Sequence, residues 1–370
     1  MCTVRYFENT GQGLFSVERH GDATIVYDCG GENRDLVRHA IPHVLSEGEK
    51  IDALFISHYD RDHINGVQDL LLYCNVQHII LPMIEDFVKL AALQKVPSNS
   101  FVYQFVLTPQ QAIRALYNDY RAEGLAERSE PSIHYVGFAG EEINYNERPN
   151  EDYIDEDGGV LLNGIGVYIS SGTRIKTHKG DDWVYIPFNR RTMSTINIKM
   201  FKAGLGIPQN ATSEDIIKAW KERRGKKKIS KDIKEIWSNI TMIAESEINN
   251  YSMTLYSGPL KHHWHEGCLY TGDYNAKDNM AELRNAYDIV WENIRIVQIP
   301  HHGSYHNFHD DLINILGIHV IPNKKHKVKK NDVDATLTIS KIKKHGGYVV
   351  ATWQRDIYIP IDFPWTSESL

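Results

Sequence analysis

A continuous apolar run over residues 51–57, of strand length, passes without a break into His58-Tyr59-Asp60-Arg61-Asp62-His63. A tight loop at the C-terminal end of a strand points imidazoles and carboxylates toward one centre. Four of these six residues, His58, Asp60, Asp62 and His63, are potential metal ligands. Mixed nitrogen and oxygen ligands suit Zn²⁺, and a more oxygen-rich set shifts the preference toward Mn²⁺ or Fe. The chain holds eighteen His in all, several of them directly after apolar runs of the same kind.

The rest of the chain supplies a frame for that loop. Residues 3–7, 13–18 and 23–27 read as strands, the third closed by the turn signal Asp28-Cys29-Gly30-Gly31. Apolar residues at helical spacing over 34–45 predict a helix that Pro42 kinks or shortens. A helix at 67–73 and a strand at 76–81 follow, and strands alternating with helices predict layered α/β architecture. From about 86 to 245 the character changes: helices at 85–93 and 109–127, an acidic loop at 141–157, a strand at 183–188 and a basic, helix-rich stretch at 213–240. We read this stretch as core strands interrupted by a helix-rich insertion within one domain spanning 1–370. Strands resume at 252–256, 267–270, 294–299, 319–322 and 347–352. Two of them end in further polar clusters, Thr271-Gly272-Asp273 and Pro300-His301-His302-Gly303-Ser304.

Composition excludes several classes. No stretch approaches the eighteen or so apolar residues of a membrane span, and the first residues lack a signal peptide's layout, so a cytoplasmic protein with no membrane partner is expected. The four cysteines (Cys2, Cys29, Cys74, Cys268) form no CxxC pair, which argues for buried or reduced thiols. A net charge of −7 argues against a molecule coated in positive potential but permits a local basic patch. Neither a Gly-x-Ser-x-Gly elbow nor a P-loop is present.

The run from His58 to His63 resembles the HxHxDH signature of the metallo-β-lactamase superfamily, in the variant whose second His is Asp. That variant is typical of the metallo-hydrolase domain of the ComEC/Rec2 DNA-uptake proteins. Gly11-Gln12-Gly13 and Ile25-Val26-Tyr27-Asp28-Cys29-Gly30 resemble that branch's opening strands. Asn249-Asn250-Tyr251-Ser252-Met253-Thr254-Leu255, Tyr270-Thr271-Gly272-Asp273 and Ile299-Pro300-His301-His302-Gly303-Ser304 resemble its later motifs, in the same order. The resemblance implies an αββα sandwich, two central mixed sheets flanked by helices. It also implies a dinuclear site, with His58 and Asp60 on the first metal, Asp62 and His63 on the second, and Asp273 bridging. One of His301 and His302 completes the second site, and the sequence does not select between them. Asp28 is expected to orient the ligand loop through hydrogen bonds.

The match has departures. Asp60 replaces a histidine, and no third-histidine motif precedes Gly272-Asp273. The cluster His262-His263-Trp264-His265 reads as a surface loop. Asn323-Lys324-Lys325-His326 matches the branch's C-terminal element only in part. His326 is a candidate proton donor or phosphate ligand beside Asp62 in the catalytic set, and Ser304 and Asn323 are candidate substrate contacts.

Two divalent ions, Zn²⁺ or Mn²⁺, about 4 Å apart would make hydroxide available and neutralise developing charge without a side-chain nucleophile. The resemblance points to a phosphodiester, DNA or RNA, as substrate. Two basic runs agree with a polyanion: residues 218–234, with nine Lys or Arg against Glu222 and Asp232, and residues 324–330. A small-molecule ester, phosphoester or lactone hydrolase and a non-catalytic metal-binding regulator are the alternatives, because the fold hosts many chemistries.

Overall fold

The computed structural model describes residues 3–85, 88–89, 92–93, 96–122, 128–141, 151–191, 199, 202–211, 215–216, 218–219, 222, 252–261, 267–313, 317–323 and 333–360. In chain order the strands are β1 (Thr3–Phe7), β2 (Phe15–His20), β3 (Ala23–Cys29), β4 (Lys50–Phe55), β5 (Asn75–Pro82) and β6 (Ser132–Val136). They continue with β7 (Val160–Leu161), β8 (Tyr168–Ile169), β9 (Ile175–Lys176), β10 (Trp183–Phe188), β11 (Thr254–Pro259) and β12 (Gly267–Tyr270). The last four are β13 (Ile294–Gln298), β14 (Ile318–Ile321), β15 (Tyr348–Ala351) and β16 (Ile357–Pro360). Helices are α1 (Arg34–Val44), α2 (Arg61–Ile64), α3 (Val67–Tyr73), α4 (Phe101–Leu107), α5 (Pro109–Ala122), α6 (Ala276–Ala286) and α7 (Val333–Lys344).

Two eight-stranded mixed sheets result, in the orders β16-β1-β2-β3-β4-β5-β6-β8 and β15-β14-β13-β12-β11-β10-β9-β7. In the first, pairing is antiparallel from β16 to β3 and parallel from β3 onward. In the second, β12 to β15 are parallel and β9 to β12 antiparallel. Alternation along the strands explains the layering. In β3, Ile25 and Tyr27 join the inter-sheet core with Phe55, Tyr185, Leu255 and Tyr270, while Val26 faces the helices. The outer face of the first sheet is covered by Val37 and Ile41 of α1, Leu70 of α3 and residues of α4 and α5. Met280 and Leu283 of α6 and Ile342 of α7 cover the second. The sandwich is thus α/β, in αββα order.

The stretch expected as a helix-rich insertion supplies α4 and α5, but it also supplies β6 to β10, which belong to both sheets. α1 accommodates Pro42 at its end, where Leu45 N–H still reaches the Ile41 carbonyl. Cys29, Cys74 and Cys268 are buried and unpaired, as expected for reduced thiols. Among the described residues no helix is long and apolar enough to cross a membrane.

Candidate metal centre

The candidate ligands stand at the C-terminal ends of three parallel-sheet strands: β4 delivers His58 to His63, β12 delivers Asp273, and β13 delivers His301 and His302. The first loop is packed backbone against backbone. A Cβ on Gly30 would lie 2.2 Å from the Asp62 carbonyl oxygen, so only glycine permits the approach of the β3 turn.

Asp273 sits at the centre. Its Oδ1 is 3.3 Å from His63 Nε2 and 3.7 Å from His302 Nε2, and its Oδ2 is 3.8 Å from His58 Nε2 and 3.7 Å from His301 Nε2. Asp62 Oδ2 is 3.2 Å from His302 Nε2, and Asp60 Oδ2 is 3.8 Å from His58 Nε2. The donor atoms of His58, His63 and Asp273 lie within 4.8 Å of one another, as do those of Asp62, His63 and His302. Five candidate ligands (His58, Asp62, His63, Asp273 and His302) thus fall into these two groups, while Asp60 and His301 approach His58 and Asp273 without belonging to either. The adjacent histidines are no longer equivalent: His302 joins Asp62 and His63, and His301 faces the other oxygen of Asp273.

Hydrogen bonds on the far side of each ring direct its Nε2 inward. His63 Nδ1–H donates to Asp28 Oδ2 at 2.7 Å. Ser57 Oγ–H donates to the same carboxylate at 2.6 Å, which leaves Ser57 Oγ to accept from His58 Nδ1 at 2.9 Å. His302 Nδ1–H donates to the Pro322 carbonyl at 2.9 Å, and His301 Nδ1 meets Asn307 Oδ1 at 3.1 Å. Ser252 Oγ lies 3.1 Å from His58 Nδ1 and accepts the Asp273 amide at 2.9 Å. Each ring is held in the tautomer a metal ligand needs.

The donor set fits a divalent cation. His58 Nε2, His63 Nε2, His302 Nε2 and Asp273 Oδ1 are buried polar atoms without a hydrogen-bond partner. Leaving such an atom unsatisfied costs about 1–3 kcal/mol. Electrostatics say the same. Burial disfavours the charged form of His63, yet Asp273 and Asp28 override it and raise its pKa well above the ordinary 6.5. His302 is likewise raised against burial by Asp273 and Asp62. Burial, reinforced by His63, drives His58 down to about 3, while burial plus Asp62 and Asp273 pushes Asp60 up to about 7.

Backbone strain marks the same place. Asp28, His301 and His302 are the non-glycine residues with positive φ among those described, at 57°, 49° and 53°. Such conformations cost about 1–3 kcal/mol and persist where surrounding structure enforces them.

Residues 10–168 match the family model of the metallo-beta-lactamase superfamily. That match covers the N-terminal part of the chain, including the loop from His58 to His63. The sandwich is the metallo-β-lactamase fold, and the sites described above lie where the two sheets meet. Among solved structures, human tRNase Z, short form, is 10% identical, covering 98% of this chain and 100% of that one at a TM-score of 0.40. The metallo-beta-lactamase fold protein YhfI from Bacillus subtilis is also 10% identical, covering 97% and 99% at a TM-score of 0.41. No curated protein matches the chain in sequence.

The expected substrate contacts Asn323 and Ser304 adjoin the ligand turn. Asn323, expected against substrate, is buried, and its amide donates to the His302 carbonyl at 2.7 Å. The Ser304 amide donates to the His301 carbonyl at 2.9 Å, within the ligand turn. His326, the cluster at 262–265 apart from its flanks, the basic run 324–330 and most of 218–234 lie outside the described residues. Sequence reading missed Ser57, Ser252 and Asn307. A serine directly before His58 was visible in the chain, but nothing local connects it to Asp28.

Proposed function

We propose that this metallo-β-lactamase-fold hydrolase is a metal-dependent phosphodiesterase acting on nucleic acid, in the manner of the ComEC/Rec2-like branch its motifs resemble. The observation that carries the reading is the convergence of three inward, partnerless imidazole nitrogens on the Asp273 carboxylate. In this reading His58, Asp60 and His301 would hold one divalent cation and Asp62, His63 and His302 the other, with Asp273 shared between them. His301 stands in for the third histidine the sequence lacks. Two bound divalent ions, Zn²⁺ or Mn²⁺, supply an activated water and stabilise charge on a phosphoryl oxygen.

The protein's own groups do the rest. Asp28 and Ser57 fix the His63 and His58 tautomers, so both rings present a lone pair rather than a proton. Arg61, between the candidate ligands Asp60 and Asp62, is an exposed cation. His301, whose side chain is 33% exposed, stands on the open side of Asp273.

The test is incubation of purified protein with plasmid, single-stranded DNA and RNA at several Mn²⁺ and Zn²⁺ concentrations, beside a panel of small esters and lactones. Cleavage of nucleic acid that disappears in His63→Ala is the expected result. Hydrolysis of esters or lactones with phosphodiesters untouched overturns the substrate assignment, and bound metal without any turnover overturns catalysis itself.

A further inference from the structure

A second group of ligand-type side chains lies away from the centre just described. Glu8 follows β1, His43 is in the last turn of α1, and Asp356 immediately precedes β16. Pairing of β1 with β16, which sets Phe7 opposite Ile357, brings Asp356 beside Glu8. One donor atom from each of the three side chains lies within 4.8 Å of the others, and His43 Nδ1 is 3.9 Å from Glu8 Oε2.

Glu8 distinguishes this group from an ordinary acidic surface. It is only 3% exposed, and its Oε2 is a buried oxygen with no hydrogen-bond partner. Its carboxyl is pushed up to about 8, chiefly by burial and further by the neighbouring Asp356. As an anion Glu8 faces a second carboxylate, Asp356, with its Oε2 unsatisfied. The neighbours, by contrast, are oriented. Asp356 Oδ1 accepts the Asn9 amide at 2.8 Å, which fixes its carboxylate against the turn after Glu8.

We propose that Glu8, His43 and Asp356 form a separate structural site for one divalent transition-metal cation such as Zn²⁺. Imidazole nitrogen and carboxylate oxygen are both ligand types that Zn²⁺ takes, and water would complete a four-coordinate shell around these three groups. The ion satisfies the buried Glu8 oxygen, cancels its repulsion with Asp356, and ties the edge strand β16 and helix α1 to β1. The two exposed ligands make it an exchangeable site, filled according to the ambient metal concentration.

Equilibrium dialysis of chelator-stripped protein against Zn²⁺, with metal counted by mass spectrometry, tests the site. His43→Ala and Glu8→Gln should each bind one equivalent fewer than the natural chain, with hydrolytic activity unchanged in His43→Ala. His43 is exposed, so its replacement does not threaten folding. The Zn²⁺-dependent rise in Tm should also be smaller in His43→Ala. Equal metal counts for the natural chain and His43→Ala overturn the proposal. His63→Ala separates it from the catalytic reading: a single-equivalent loss on adding His43→Ala to that background supports this site even if the dinuclear centre proves wrong.

Discussion

Asp28 holds one backbone amide, one hydroxyl and one imidazole with two oxygens, and does so at φ 57°, a conformation most side chains avoid. Burial pushes its carboxyl up, and the His63 charge and hydrogen bonds pull against that. Its function depends on being an acceptor only. In Asp28→Asn an N–H replaces the oxygen that faces His63 Nδ1, which favours the tautomer with the proton on Nε2, where the metal should bind. Replacement of such an outer partner lowers metal affinity about 10–100-fold. We expect that loss for Asp28→Asn in a Zn²⁺ titration, with the fold intact by circular dichroism. Unchanged affinity would show that Asp28 serves the turn alone. The residue was visible in the sequence as a strand-end turn former, but the partners that give it this role are 29 and 35 positions away.

The elements that the sequence showed clearly are those with a local period of burial or a continuous apolar run beside a turn signal. β1, α3 and β12 have the expected bounds, and α1 ends one residue short of expectation. α6 was hidden because only Ala276, Met280 and Leu283 of its eleven residues are buried. β16 was hidden because four residues carry too short an alternation to register. Pairing of β5 with β6 has a consequence of its own. His78 Nδ1 and His134 Nε2 lie 3.0 Å apart, and burial lowers the pKa of both rings from the ordinary value of 6.5. A base with a lowered folded pKa binds fewer protons folded than unfolded, so its contribution is intact above 6.5 and is lost as pH falls below it. Tm should therefore drop between about pH 7 and about pH 5. The drop should be smaller in His134→Gln, and an identical acid limb in the two proteins would refute this role.

At the scale of the molecule, the centre joins the two sheets: His58 to His63 come from the first, and Asp273, His301 and His302 from the second. Without cations the same contacts bring Asp60, Asp62 and Asp273 together in a largely buried cluster, which opposes closure of the sandwich. Ligand bound only to the folded state stabilises it by about 2.7 kcal/mol at a hundred-fold excess over Kd. Chelation should accordingly lower Tm by several degrees in calorimetry, and Zn²⁺ or Mn²⁺ should restore it. A Tm indifferent to chelator would mean that the loops meet without metal.

The sequence by itself determined which residue types end the strands and in what order, because a strand run followed by a polar turn is written in consecutive residues. It therefore supplied the candidate ligands on three separate loops, with His301 and His302 left as alternatives. Only the tertiary structure decided how they divide. His301 and His302 are neighbours in the chain, yet consecutive left-handed backbone conformations send one ring to each oxygen of Asp273. Only the structure, too, brought Glu8, His43 and Asp356 together, since that meeting depends on β16 pairing with β1 across nearly the whole chain length. Strand order is set by the packing of complete sheets, and no local period encodes it.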